Sequence, residues 1–186
     1  MAKQSRNVVT HGLSGTVGGM IVFRQTAGGT VVQSRPRTSG KVTEAQRAQR
    51  RKFQRAVLYA GVTVNDPELG PAYAAKAKPG QSARNVAVAD YMHAPDIEEI
   101  DVSGDRGLPG DVIRIIATDD FAVKEVKVVI TRADGTPVEE GYAVQEPAGY
   151  EWTYTAVAEN ATQDGDRIEV YASDHPGNIS KAEKEI

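Results

Sequence analysis

The sequence predicts a chain of two parts: an α+β N-terminal module, built from a β-hairpin arm and short helices, and an all-β sandwich after it. Three observations predict this fold class. Glycine punctuates the first third of the chain, a capped helical pattern follows, and apolar residues switch to a period of two beyond residue 95. We expect the two modules to comprise residues 1–94 and 95–186.

The two parts carry opposite charges, which the overall net charge of -3 conceals. Residues 1–94 hold 14 Lys and Arg against 4 Asp and Glu, a balance of +10. Residues 95–186 hold 8 against 21, a balance of -13. A division this steep predicts two modules with different electrostatic roles.

Residues 12–36 are expected to form the hairpin arm. Two β-prone runs, 20–26 and 30–35, flank a short Gly-containing loop, and Pro36 closes the second run. Alternation predicts apolar residues on both faces, with Met20, Val22 and Val32 on one and Ile21, Phe23 and Val31 on the other, a grouping that depends on the register between the strands. Because an isolated two-stranded ribbon is marginally stable in water, these faces need a cover.

A helix is predicted over 43–61. Thr43 and Gln46 have the spacing of a capping box, and Gly61 is expected to end the helix. One apolar stripe is predicted at Phe53, Ala56, Val57 and Ala60. The other side of the helix forms a basic docking face, which consists of Arg47, Arg50, Arg51 and Arg55.

Shorter helical pieces are expected within 72–92, after a loop at Gly70-Pro71 and with an interruption at Pro79-Gly80. The sequence His93-Ala94-Pro95 then reads as the boundary between the modules, because the charge reverses there.

Five segments of the second module alternate apolar and polar residues, and turn signals such as Gly135 and Gly165 separate them. Weaker strands are expected at 142–144 and 179–186. About seven short strands of this kind fit an immunoglobulin-like sandwich. The apolar positions of the five segments are Ile100/Val102, Ile113/Ile115/Ala117, Val126/Val128/Ile130, Tyr150/Trp152/Tyr154 and Ile168/Val170/Ala172.

The second module also resembles bacterial immunoglobulin-like domains. The resemblance is carried by the strings at 115–120 (IIATDD), 126–130 (VKVVI) and 168–180 (IEVYASDHPGNIS), the last of which has the V-x-A-x-D-x-x-G-N-x-S ending of such repeats. It implies the fold and no particular function, because these domains serve as spacers, adhesive modules and particle decorations.

The first third of the chain resembles an uncharacterised bacterial family with a Gly-rich hairpin and a T-x-x-Q-x-x-Q-R-x-x-F helix. The matching strings lie at 12–18, 35–37 and 43–53. This resemblance groups the chain and implies no chemistry.

The residue inventory argues against an enzyme. The chain has no cysteine, so thiolate catalysis and sulfur-ligated zinc are excluded. His11, His93 and His175 lie in expected loops without catalytic spacing, and we expect no cofactor. Trp152 could line a sugar platform, although one Trp in an alternating strand is typical of a sandwich core.

The loops of the sandwich offer one set of candidate calcium ligands. Asp119, Asp120, Asp174 and Asn178 fall in the expected B–C and F–G loops, which meet at one end of such a sandwich. The alternative is that these side chains hydrogen-bond their own backbone in Asx-turns.

These features lead to a functional expectation: a non-enzymatic structural subunit that assembles through its N-terminal arm into a filament or a virion-like or phage-tail-like particle, with the immunoglobulin-like domain exposed. The arm would pair in cis or be donated to another copy, and the partner would be another copy of the chain. The alternatives are a nucleic-acid-binding protein, using the basic module, and a surface or sugar-binding module. Since no apolar signal or membrane span is visible, we expect cytoplasmic synthesis without an N-terminal signal.

Overall fold

A computed structural model describes residues 2–4, 10, 12–26, 29–35, 40–160 and 162–186. The chain divides into two compact units, Met1–Val86 and Ala87–Ile186, each described below by itself. The division falls inside the third helix, α3 (Ala83–Met92), and therefore earlier than the position expected at Pro95. Among the described residues, no helix has the length and apolar character needed to cross a membrane.

The first unit begins with an antiparallel sheet in the order β1-β4-β3-β2. The predicted hairpin is present as β3 and β4, while β1 and β2 were not anticipated. Positions 27, 28 and 36 of the predicted 12–36 arm lie outside the described residues. The strands are β1 (Ala2–Gln4), β2 (Gly15–Val17), β3 (Ile21–Thr26) and β4 (Gly29–Ser34).

The register of the hairpin groups its apolar residues differently from the sequence pattern. Phe23 pairs directly with Val32, and Arg24 with Val31. Since opposite residues of an antiparallel pair point to the same face, Val32 shares a face with Phe23, and Val31 shares the other with Val22. With this register, both valines of β4 lie on the faces opposite to those of the predicted grouping, because alternation within each strand does not fix the register between strands.

The first helix, α1 (Glu44–Thr63), has the predicted capping box. Gln46 N–H donates to Thr43 Oγ1 at 3.2 Å, and Thr43 N–H donates to Gln46 Oε1 at 3.1 Å. The helix continues through Gly61, which was wrongly expected to end it.

The buried face of α1 consists of Ala56, Ala60 and Thr63. Phe53, which the apolar stripe included, is 51% exposed. The stripe was therefore right for the two alanines and wrong for the aromatic residue.

Removing the cap is expected to loosen the first turn of α1. Thr43→Ala deletes the oxygen that accepts the Gln46 N–H, and a lost N-cap costs about 1 kcal/mol. Amide exchange at Gln46 should be faster by the corresponding amount, whereas Thr43→Ser, which keeps the hydroxyl, should match the parent. Equal exchange in the alanine variant would contradict the role of the cap.

The second helix, α2 (Leu69–Lys76), begins before the Gly70-Pro71 pair that was expected to form a loop. A Cβ added to Gly70 would lie 2.6 Å from the carbonyl oxygen of Val64, so glycine permits the close approach of the α1 end. Tyr73 of α2 is fully buried, and its hydroxyl lies 3.1 Å from that of Tyr59 on α1.

The second unit contains a β-sandwich of two four-stranded antiparallel sheets, in the orders β5-β6-β10-β9 and β12-β11-β7-β8. If β5 is strand A, these orders correspond to the ABED and GFC sheets of immunoglobulin domains, with β8 added beside strand C. The strands are β5 (Asp96–Gly104), β6 (Val112–Thr118), β7 (Val123–Thr131), β8 (Pro137–Tyr142), β9 (Val144–Gln145), β10 (Glu151–Thr155), β11 (Arg167–Asp174) and β12 (Ile179–Glu185).

Each of the five alternating segments contains a strand whose inward residues belong to the core or pack against it, except that Tyr150 precedes β10 and is 50% exposed. Ile113, Ile115, Val128, Ile168 and Val170 are fully buried. The segment 142–144, expected as one strand, is instead the passage from β8 in one sheet to β9 in the other. The core therefore holds by packing alone, as the absence of cysteine requires.

Candidate functional site

Three carboxylates meet at one end of the sandwich. Asp119 follows β6, Asp174 ends β11, and Asp90 belongs to the last turn of α3; one carboxylate oxygen of each lies within 4.8 Å of the others. The sequence correctly predicted that Asp119 and Asp174 lie close together, because their loops meet at one end of the sandwich. Asp90 was missed, because its position in a helical segment gives no sign that the helix ends at these loops.

Asp174 organises the loop between β11 and β12. Its side chain is 1% exposed and accepts the backbone N–H groups of Gly177 at 2.8 Å and Asn178 at 2.6 Å. Burial raises the pKa of the Asp174 carboxyl, the hydrogen bonds oppose that rise, and the charge of Asp119 adds to it. The Asx-turn, which was the alternative to a metal site, is therefore present at Asp174.

Asn178 caps the end of α3. Its Nδ2 lies 2.8 Å from the carbonyl oxygen of His93, 3.2 Å from that of Tyr91 and 2.7 Å from Asp174 Oδ2. A side-chain amide nitrogen has two hydrogens, so these acceptors share them. The nitrogen acts as a donor between the helix end and Asp174, which is a different role from the predicted metal ligand.

The two neighbouring aspartates after β6 have separate roles. Asp119 Oδ2 accepts the backbone N–H groups of Phe121 and Ala122, both at 3.0 Å. The side chain of Asp120 is 52% exposed and bonds His93 Nδ1. Asp120 thus points away from the cluster to which the sequence assigned it.

This arrangement has the chemistry of a cation-attracting site. Three carboxylates stand beside the carbonyl end of a helix, where the helix dipole adds negative potential. Asp90, Asp119 and Asp174 could hold a divalent cation through oxygen. Calcium takes about six to eight oxygens, whereas the cluster supplies three, and the loop hydrogen bonds already account for Asp174.

The basic docking face is exposed as predicted, but part of its charge is paired within the helix. Arg50 and Arg55 are exposed. Arg51 lies 3.0 Å from Glu44, and Arg47 lies 3.7 Å from the same carboxylate. The capping segment therefore neutralises one of the four positive charges.

Trp152 does not form a sugar platform. It is 4% exposed and packs in the sandwich core, and Tyr154 on the same side of β10 is also 4% exposed. Burial, with a contribution from Glu139, raises the pKa of Tyr154 to about 12. The aromatic residues of β10 that face inward are structural.

Comparisons with known proteins assign the chain to no family. No protein-family model matches the chain, and no curated protein matches it. The crystal structure of CopC from Methylosinus trichosporium OB3b is similar at 15% identity and a TM-score of 0.37, covering 50% of this chain and 90% of that one. A likeness at this level carries no argument about fold or function.

Proposed function

We propose that the chain is a non-enzymatic structural subunit that assembles with further copies of itself through its N-terminal sheet. The observation that supports this proposal is an apolar sheet face that the described residues cover only in part, since Phe23 and Val32 are half-buried. Val17 pairs with Ile21, and Phe23 with Val32, so these four residues share one face. Val17 is 58% exposed and Ile21 43%.

The sheet contributes little to a core of its own. Within β2, β3 and β4, Thr30 is the one buried residue among those the structure describes. An apolar sheet face normally packs against another layer, and β1 and β2 each present an open edge. A second copy supplies both an apolar face and strand edges.

The charge distribution supports a further copy as the partner. The first unit, 1–86, holds 14 Lys and Arg against 3 Asp and Glu, and the second, 87–186, holds 8 against 22. The units are therefore +11 and -14. Opposite charges on two units of one chain favour head-to-tail association, which builds rings or filaments.

Charging the apolar face should abolish assembly. Phe23→Glu places a carboxylate between Val32 and the neighbouring copy, whereas Thr16→Glu places the same charge on the opposite face, because Thr16 pairs with Val22. Sedimentation velocity with electron microscopy should show particles for the parent and for Thr16→Glu, and monomers for Phe23→Glu.

A second measurement does not depend on the fold of the charged variant. Because the chain has no cysteine, Val17→Cys and Thr16→Cys each accept one environment-sensitive dye. The dye at position 17 should move to an apolar environment on assembly, and the dye at 16 should not. A parent chain that stays monomeric at low and high salt would refute the proposal. Salt-dependent DNA or RNA binding by such monomers would favour the nucleic-acid alternative.

A further inference from the structure

Helix α1 presents a second exposed stripe, on the side away from its buried residues. Arg47, Arg51, Arg55, Leu58 and Val62 follow one another at four, four, three and four residues, which places them on one helical face. Leu58 is 72% exposed and Val62 76%. This α1 stripe is basic at its start and apolar at its end, and Leu58 and Val62 are not among the buried residues of α1.

The outer face of the sheet β12-β11-β7-β8 carries a matching pattern. Glu183 pairs with Glu169, Glu169 with Val129, and Val129 with Glu140, so the three carboxylates form one row across the sheet, the acidic row.

A second row runs beside the acidic row on the same face. It contains Lys181, Tyr171, Lys127 and Tyr142 in direct cross-strand register. Tyr142 is 62% exposed, and Ile179 on the same face is 65% exposed. A depression of about 400 Å³ on this face is lined by Tyr142 and Ile179 together with Glu125, Lys127, Val129 and Tyr171.

We propose that the α1 stripe of one copy docks on this outer face of the sandwich in the next copy. This inference rests on the proposed self-assembly and names the two surfaces that meet. Arg47 to Arg55 spans about 12 Å of helix axis. Glu140 to Glu183 crosses three strand spacings, about 14 Å, so the arginines can follow the acidic row.

Charge and shape both fit this pairing. The outer face holds Glu125 besides the acidic row, against the two lysines, and is net -2. Lys127 already lies 2.8 Å from Glu140, and Lys181 lies 2.6 Å from Glu169. An arginine of the partner copy can still bind these paired carboxylates. Its planar guanidinium forms two hydrogen bonds to a carboxylate and can stack on a tyrosine ring.

The apolar end of the stripe has a counterpart as well. With Arg55 beside Glu140, Leu58 lies about 4.5 Å further along the helix axis, at the edge strand β8, where it can contact the exposed ring of Tyr142. The contact thus combines burial of apolar surface with charge pairs, and high salt should weaken it without abolishing it.

A charge exchange in the full-length chain tests the pairing. One variant, Arg51→Glu/Arg55→Glu, reverses the stripe, and the other, Glu140→Arg/Glu183→Arg, reverses the acidic row. Each alone should raise the concentration needed for assembly by about tenfold or more, because like charges then face each other. An equimolar mixture should assemble near the parent concentration, since each altered surface meets its complement in the other variant.

The control substitutions are Lys78→Glu and Glu99→Lys, which reverse one exposed charge of each sign outside the α1 stripe and the acidic row. They should leave assembly like that of the parent. Parent-like assembly of both exchange variants, or failure of the mixture to recover, would overturn the docking. If Phe23→Glu still abolishes assembly in that case, the proposed function stands and this inference alone fails. A parent chain that never assembles would refute both the proposed function and the docking.

Discussion

Replacing Asp174 by alanine is expected to lower the free energy of unfolding of the sandwich by about 3–4 kcal/mol. The carboxylate accepts two backbone N–H groups and the side-chain amide of Asn178, all within 2.8 Å. Each buried donor left without an acceptor costs about 1–3 kcal/mol, and relief of repulsion from Asp119 returns part of that cost.

Denaturant unfolding followed by tryptophan fluorescence measures this loss directly. Trp152 is the one tryptophan of the chain and lies in the core, so its emission reports unfolding of the sandwich. Asp120→Ala is the matched control, because Asp120 lies in the loop after β6 at the same end of the sandwich but is exposed, and its replacement should cost less than about 0.5 kcal/mol. Similar losses in both variants would show that Asp174 has no special role.

The raised pKa of Asp174 also gives the pH dependence a definite sign. The folded state holds this proton more tightly than the unfolded state does, because the carboxyl is buried. Its contribution is therefore fully present below the ordinary carboxyl pKa, about 4, and is lost as the pH rises through the raised value. Stability of the parent relative to Asp174→Asn should decrease over that range, and a constant difference would contradict the shift.

Gly107→Ala is expected to destabilise the sandwich by about 4 kcal/mol. Gly107 has a φ of +80°, and a Cβ there would lie 2.1 Å from the carbonyl oxygen of Asn160. Its own carbonyl accepts the Asn160 N–H at 2.9 Å, so the two backbone segments cannot separate without breaking that bond.

Gly110→Ala separates the cost of the close contact from the cost of the positive φ. Gly110 also has a positive φ, +96°, but nothing lies within 4 Å of the added Cβ. Its replacement should cost only the conformational strain, about 1–2 kcal/mol. Equal losses at 107 and 110 in the same fluorescence assay would show that the approach to Asn160 is unimportant.

Local sequence patterns predicted the helices and strands of this chain better than they predicted the contacts between them. The capping box at Thr43 and the alternation of segments such as 113–117 are properties of neighbouring residues, and both are confirmed. The fold class followed from them, because short alternating strands between turns leave few architectures. The loop positions of Asp119 and Asp174 followed from the fold class in turn.

What sequence reasoning missed depends on residues far apart in the chain. The faces of Val31 and Val32 depend on the register between β3 and β4, and α1 passes Gly61 because tertiary packing outweighs the low helix propensity of glycine. Asp90 joins the candidate site across 84 residues from Asp174, and no local signal marks such a meeting. The strand β8 was partly missed because its exposed residues lack a clear apolar alternation.

The cap that Asn178 places on α3 decides which stretch of chain can fold as an independent piece. A fragment starting at Pro95 looks natural by composition, yet it discards the carbonyls of Tyr91 and His93 that the Asn178 amide binds. In that fragment the Asn178 amide, in the loop between β11 and β12, would be exposed to water. A fragment starting at Ala87 retains the last turn of α3 together with the sandwich, so the physical edge of this domain is helical although its body is all β.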